Sequence, residues 1–181
     1  PKKMYSIALS LSDKLDSLVG FFGINLKPSS SKDPYAIRRM AISLVRLIVE
    51  NEIKIKLKDL IVYACSVYGD QGYEFDIKKI QKELSDFIIE RLKNYLKEKK
   101  IRQDIIESST FLLGLDDLLK AYKKSLCLNK NIKKEIGSET IAVYKRSSNI
   151  LNSEEKISLE TLGFADPGLF KNDYEKKLYK K

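Results

Sequence analysis

The chain of 181 residues contains no histidine. Histidine is the usual general base of enzymes and the commonest side-chain ligand for transition metals. Its absence disfavours a zinc or di-iron centre contained in this chain, although carboxylates alone could still hold Mg²⁺. Walker-type Gly-rich loops and Gly-x-Ser-x-Gly elbows are missing too. The sequence therefore argues against a self-contained enzyme.

Cysteine is scarce as well. The two cysteines, Cys65 and Cys127, are far apart and lie in apolar helical contexts, which predicts buried free thiols and a reducing compartment. No apolar run approaches the roughly 20 residues that cross a bilayer, and the first residues lack the apolar core of a signal peptide. We therefore expect a cytoplasmic protein. The missing initiator methionine suggests an excised piece of a longer one.

Positive charge is the main excess in the sequence. The net charge of +9 and the pI near 9.3 favour an anionic partner such as RNA. An AT-rich genome would also favour lysine, so total charge leaves both explanations open. Such a bias does not account for arginine, whose planar guanidinium binds phosphate through two hydrogen bonds. The six arginines are therefore the basic positions of interest: Arg38, Arg39, Arg46, Arg91, Arg102 and Arg146.

Apolar residues recur at three- and four-residue steps through most of the chain, which predicts an all-α, multi-helical fold. Asp33-Pro34 is expected to begin the second helix, and Asp76 to cap a long helix that follows. Residues 52–57 alternate in polarity but stand alone, so we interpret them as an extended connector. Further helices are predicted around Ile105, from 115 to 126, from Ser138 to 151 and from near 172, with a polar linker over 152–170. Four tyrosines lie at spacings typical of a core: Tyr63, Tyr68, Tyr95 and Tyr122.

Several consecutive motifs carry a family resemblance. Residues 8–24 read ALSLSDKLDSLVGFFGI, residues 27–39 read KPSSSKDPYAIRR, and residues 44–51 read LVRLIVEN. The blocks YKRSSNIL at 144–151 and DPGLFKNDYEKKL at 166–178 follow. Together they resemble the bacterial glycyl-tRNA synthetase β subunit, and the match is weakest in the middle of the chain.

The resemblance implies an interior fragment of the latter half of that longer subunit. Residues 1–112 would end a helical domain related to the His-Asp phosphohydrolases, and residues 113–181 would begin a helical anticodon-binding domain. Asp13 occupies the position of that superfamily's last metal-ligand aspartate, but its upstream histidines are absent, so no metal site and no catalytic residue is assigned. Ser30 stands where the family usually has glycine, which would strain the loop if that glycine has a positive φ.

Candidate tRNA-binding residues lie in two places. Arg39, Ser43 and Arg46 are spaced by four and three residues, so they lie on one face of the second helix. Arg38 flanks this face, and Lys32 precedes the helix. Such a ridge beside a helix N-terminus would contact phosphates. Alternatively, Arg38 or Arg39 pairs with Asp13, Asp16 or Asp33 and ties two helices together. Lys145 and Arg146 carry the same choice between tRNA contact and a solvated helix face.

Three functions of different classes remain open. By resemblance, the chain supplies tRNA binding and assembly to a glycine-tRNA ligase. The α subunit of its α2β2 heterotetramer would then attach glycine to tRNA(Gly) with ATP and Mg²⁺, and we expect glycine, ATP and Mg²⁺ not to bind to this fragment. A metal phosphohydrolase is disfavoured because histidine is absent. A free-standing helical RNA-binding or scaffold protein, possibly the remnant of a split gene, is the third alternative.

Overall fold

The computed structural model describes residues 1–28, 33–111, 117–153 and 167–179. These ranges contain eight α-helices and no strand, so the predicted all-α class is confirmed for them. The helices are α1 (Met4–Gly23), α2 (Ile37–Glu50), α3 (Leu57–Asp70), α4 (Ile77–Glu98), α5 (Gln103–Phe111), α6 (Leu118–Asn131), α7 (Glu135–Ser153) and α8 (Asp173–Tyr179). Of these helices, none is both long and apolar enough to cross a membrane.

The chain divides into two compact units, Pro1–Lys133 and Lys134–Lys181. This division concerns compactness alone, and the boundary predicted between residues 112 and 113 from family resemblance stays a prediction. Within the first unit, α6 packs against α2, α4 and α5, so its apolar side joins the same core as α1 to α4.

Helix α4 is the centre of the first unit. Leu84, Ile88, Leu92 and Leu96 recur every four residues, and none of them is exposed to solvent. This row brings one side of α4 against α1, α2, α3, α5 and α6. The long amphipathic helix predicted from the 3.6-residue period is therefore confirmed, and its buried side packs against both α2 and α6.

Helix starts follow the predicted caps in part. Asp76 caps α4 as predicted, because its Oδ1 accepts a hydrogen bond from the Lys79 N–H at 3.0 Å. The predicted start of α7 at Ser138 is wrong, since the helix begins at Glu135. The Ser138 hydroxyl donates to the Glu135 carbonyl at 2.7 Å and so lies inside the first turn instead of capping it.

Helices α2 and α4 end in the same motif. After α2, Glu52 has a φ of 51° and the Ile53 N–H donates back to the Ile48 carbonyl at 2.9 Å. After α4, Lys100 has a φ of 60° and the Ile101 N–H reaches the Leu96 carbonyl at 3.2 Å. This left-handed ending satisfies carbonyls that the helix leaves unpaired. It turns the chain sharply, and residues 53–56 then follow without joining a sheet. The connector predicted over 52–57 is thus shorter by one residue at each end, because Glu52 belongs to the turn and Leu57 begins α3.

Two expectations about buried side chains are wrong. Tyr63 is 69% exposed on α3, whereas Tyr95 is buried and Tyr68 and Tyr122 pack against the core as predicted. Cys127 is exposed although Cys65 is buried, and both are free thiols. Burial raises the pKa of the Cys65 thiol. Tyr63 and Cys127 lie on the sides of α3 and α6 that face away from the core, where their neighbours Val62 and Leu126 are exposed too.

Several apolar residues in the described part of the second unit are exposed. On α7, Ile136, Val143 and Ile150 recur every seven residues and are 66%, 64% and 60% exposed. Helix α8 starts at a capping box, in which Asn172 Oδ1 accepts from the Glu175 N–H at 3.0 Å and Glu175 Oε2 accepts from the Asn172 N–H at 3.1 Å. Pro167–Leu169 form a short 3-10 turn. Residues 154–166 of the predicted linker lie outside the described residues.

Replacement of Ser85 by alanine is expected to stabilise the protein by up to about 1 kcal/mol. The Ser85 side chain is 1% exposed and its Oγ has no hydrogen-bond partner among the described residues, so burying it costs free energy that alanine would not incur. Ser125→Ala is the matched control, because the equally buried Ser125 hydroxyl donates to the Ala121 carbonyl at 2.9 Å. Urea denaturation of both variants tests this, and an equal change in both would contradict it.

Candidate nucleic-acid interface

Helix α2, which carries the predicted basic ridge, begins later than expected. The predicted start at Asp33-Pro34 is wrong, since α2 begins at Ile37 after a left-handed residue, Ala36, with a φ of 55°. Asp33 nevertheless caps the helix, because its two carboxylate oxygens accept from the N–H groups of Ile37 at 2.8 Å and Arg38 at 3.0 Å. This carboxylate already occupies the N-terminus that was expected to favour a phosphate.

Two neighbouring arginines of the ridge differ in exposure. Arg39 is exposed and forms no ion pair with any residue that the structure describes, whereas Arg38 is half-buried. Asp13, one proposed partner, lies 3.8 Å from Lys14 in an ion pair within α1. Arg39 therefore remains the residue of the ridge that is best placed to reach an anion.

Arg46 ties two helices together. Its Nη2 atom lies 3.3 Å from Glu98 Oε2 on α4, and its guanidinium lies 5.6 Å from the centre of the Tyr95 ring. The Tyr95 hydroxyl in turn donates to Glu50 Oε1 at 3.2 Å. Burial, and then the Glu50 carboxylate, raise the pKa of Tyr95 above its ordinary value. Arg46 thus makes a tie between α2 and α4, of the kind suspected for Arg38 and Arg39.

The remaining arginines of unit one also have local partners. Arg91 lies 2.8 Å from Glu90 and stacks over the Phe87 ring at 4.6 Å. Arg102 forms a two-point contact with Asp104, at 2.6 and 3.1 Å. These contacts favour a structural role for both side chains.

The other candidates fall in different parts of the chain. Lys145 and Arg146 are exposed on α7 in the second unit and form no ion pair with described residues. Lys32 and Ser30 lie outside the residues that the structure describes. The structure therefore places Arg38, Arg39 and Arg46 on one helix, and Lys145 and Arg146 together on another.

A second basic surface lies on α6, which the emphasis on arginine did not single out. From 118 to 134 the sequence has six lysines and neither Asp nor Glu. The absence of acidic residues, more than the presence of lysines, was the signal that could have revealed it. The four lysines of α6 are Lys120, Lys123, Lys124 and Lys130.

An acidic groove lies between α4 and α5 and excludes one face of the first unit as a phosphate-binding surface. Five carboxylates line it: Glu83, Asp86, Glu90, Asp104 and Glu107. Lys27 reaches into the groove but pairs with Glu83 at 2.6 Å. In the described ranges, the groove included, no group of three or more His, Cys, Asp or Glu side chains could hold a metal ion.

Comparisons with known proteins identify the family. A family model described as glycyl-tRNA synthetase beta subunit matches residues 1–110. A glycine–tRNA ligase beta subunit from Ruegeria sp. (strain TM1040) is 35% identical over 180 residues, which are 99% of this chain and 25% of that protein. One from Clostridioides difficile (strain 630) is 31% identical over 179 residues, again 99% of this chain and 25% of the relative.

A third relative, the glycine–tRNA ligase beta subunit of Rhodospirillum centenum, is 38% identical over 156 residues, 86% of this chain and 21% of its own. The chain thus spans about a quarter of the length of the curated relatives that it matches. The resemblance seen in residues 8–24 and 27–51 is confirmed, because the family model covers both. With more than half of its residues matched, the chain belongs to the glycyl-tRNA synthetase beta subunit family.

Proposed function

We propose that this chain is a tRNA-binding and assembly part of a glycine–tRNA ligase β subunit, supporting ATP-dependent glycylation of tRNA(Gly) by a separate α subunit in an α2β2 enzyme. Family membership carries the proposal. The net charge of +9 supports an RNA partner. Residues 1–112 would close a His-Asp-phosphohydrolase-like helical domain, and residues 113–181 would open an anticodon-binding helical domain. We expect the enzyme to work in the cytoplasm.

The chemistry of glycylation is assigned to the rest of the enzyme. ATP and Mg²⁺ would serve the whole ligase, but the described part of this chain offers no cluster of carboxylates that fits a metal ion. The sequence also contains no Walker-type phosphate loop and no histidine. No step of adenylate formation is therefore attributed to this fragment.

Within the proposed role, the phosphate contacts are assigned to Arg39 and to the Lys145-Arg146 pair. All three side chains are exposed and lack ion-pair partners among the described residues. Arg46 is assigned a mainly structural role, because Glu98 and Tyr95 already hold its guanidinium. Arg38 is half-buried and flanks Arg39.

Arg39 and Arg46 are expected to respond differently to alanine. Arg39→Ala should leave stability within about 0.5 kcal/mol of wild type and lower the salt slope of tRNA(Gly) binding by about one unit, since one phosphate contact is lost. Arg46→Ala should lower the free energy of unfolding by about 1 kcal/mol, because a half-exposed ion pair and a cation–π contact disappear. Salt-dependent fluorescence anisotropy and urea denaturation of both variants provide the two measurements.

The assembled ligase gives the second readout. With Arg39, Lys145 and Arg146 replaced by alanine, tRNA binding by the α–β enzyme should weaken while glycine-dependent pyrophosphate exchange stays near wild type. The two activities separate because exchange needs no tRNA. Unchanged tRNA affinity at unchanged stability would remove these residues from the interface. A chain that binds tRNA but does not associate with an α subunit would instead favour the free-standing RNA-binding protein.

A further inference from the structure

The α6 segment is depleted of acidic residues in a way that codon bias does not explain. Residues 118–134 contain six lysines and no Asp or Glu, whereas α4 carries six basic residues interleaved with four acidic ones. An AT-rich genome raises lysine throughout a protein but does not remove carboxylates from one helix. The charge of α6 therefore calls for a local explanation.

The lysines of α6 share a surface. At 100° per residue, Lys120, Lys123 and Lys130 are exposed on the side of α6 that faces away from the core, and Lys124 lies half-buried at the edge of that side. Cys127, also exposed, lies among them. With a rise of 1.5 Å per residue, Lys120 and Lys130 are about 15 Å apart along the helix. We call these four lysines the lysine face.

The lysine face is unfavourable for the isolated protein. Lys120 and Lys124 lie four positions apart on the helix, at a spacing where two like charges repel each other. Lys120 also lies in the first turn of α6, beside the positive end of the helix dipole. Of these four lysines, only Lys123 has an ion-pair partner among the described residues, Glu52 at 3.1 Å. A partner with dense negative charge would relieve this repulsion.

The chemistry of the face favours a polyanion over an acidic protein. Lysine is depleted at the cores of protein–protein interfaces, which rely on aromatic and apolar anchors. The large apolar side chain exposed on α6 is Leu126, and it flanks the lysine face. Tyr122 is unsuited to base stacking, because it is half-buried and its ring centre lies 6.1 Å from that of Tyr95. Single-stranded RNA would need such stacking platforms.

We propose that the lysine face of α6 binds the phosphate backbone of double-helical RNA without reading its bases. This inference rests on the proposed function, since a tRNA would supply the duplex in its helical arms. It deepens that function, because it assigns the duplex contact to Lys120, Lys124 and Lys130, and leaves Lys123 partly neutralised by Glu52. Contacts of this kind are electrostatic and release counterions.

The test replaces Lys120, Lys124 and Lys130 together with alanine in the full chain. The probes are a labelled RNA hairpin duplex, a single-stranded RNA of equal length, a poly-glutamate peptide and tRNA(Gly), each titrated by anisotropy over a range of salt concentrations. We expect wild type to prefer the duplex, and the triple variant to lower the slope of log affinity against log salt by about two to three units.

The matched control is Lys78→Ala, Lys79→Ala and Lys82→Ala, which removes the same charge from exposed positions of α4. This control should change the slope by less than about one unit. Alanine favours helix, so both triple variants should fold, and thermal melting checks this. If the α6 variant melts early, the Lys→Gln triple variant replaces it.

Three results would each overturn the lysine face as a duplex site. They are equal losses in the α6 and α4 variants, a preference for single-stranded RNA, and binding of poly-glutamate as tight as that of the duplex. Intact tRNA binding by the α6 variant would also overturn it, but would leave the proposed function standing. Failure of the wild-type chain to bind tRNA at any salt concentration would count against both.

Discussion

Replacement of Gly23 by alanine should lower the free energy of unfolding by about 2–3 kcal/mol, as expected for overpacking. Gly23 is the last residue of α1, and a Cβ added there would overlap the ring of Phe75. That ring cannot easily move away, because it packs against Tyr68 at 5.1 Å and Tyr73 at 6.1 Å between ring centres. The glycine is needed for space here, since its φ is not positive.

Gly69→Ala provides the matched control for Gly23. Gly69 lies in α3, and a Cβ added there would meet nothing within 4 Å. Alanine has the higher helix propensity, so this change should raise stability by about 0.5–1 kcal/mol. Urea denaturation of the two variants should therefore give shifts of opposite sign. Destabilisation of similar size in both would show that Phe75 does not press on Gly23.

Leu92→Ala should cost about 3–4 kcal/mol of stability. Leu92 is fully buried in the middle of α4, the helix that contacts α1, α2, α3, α5 and α6. Its loss removes apolar burial and leaves a cavity that these packed helices close only in part. The melting temperature should fall by roughly 10 °C or more.

Leu126→Ala is the control for Leu92, because Leu126 is 40% exposed on α6 and its removal leaves no enclosed cavity. We expect a loss below about 1 kcal/mol for it. Calorimetric scans and tRNA titrations at a temperature where both variants are folded complete the test. Leu92→Ala should then bind tRNA as wild type does, since Leu92 carries no charge. Weaker binding by the folded variant would mean that the core shapes the RNA-binding surface.

The two kinds of basic residue in the first unit now have different expected roles. Three of its arginines have nearby partners, namely Arg46 with Glu98, Arg91 with Glu90, and Arg102 with Asp104. The lysine face of α6 has one such pair, between Lys123 and Glu52. The arginines were the first candidates for RNA contacts, because codon bias does not explain their presence. However, the bidentate guanidinium also suits a carboxylate of the same protein. An arginine therefore identifies an RNA contact only when no carboxylate reaches it.

Local patterns were enough to predict the helices and the family. The 3.6-residue period depends on neighbours three and four positions away, so α4 and its Asp76 cap could be derived from the sequence alone. The motifs at 8–24 and 27–51 likewise identify the family by consecutive residues. The all-α class follows from the same short-range information.

Contacts between helices required the tertiary structure. Glu98 lies 52 positions after Arg46, and no local period relates them, so only the packing of α2 on α4 shows that they pair. The exposure of Cys127 and Tyr63 likewise depends on which sides of α6 and α3 meet the core. The N-terminus of α2 was occupied by Asp33 through a left-handed turn at Ala36, a conformation that propensity disfavours and that the surrounding contacts impose. Sequence thus determined the helices, and packing decided which of their charged side chains stay exposed.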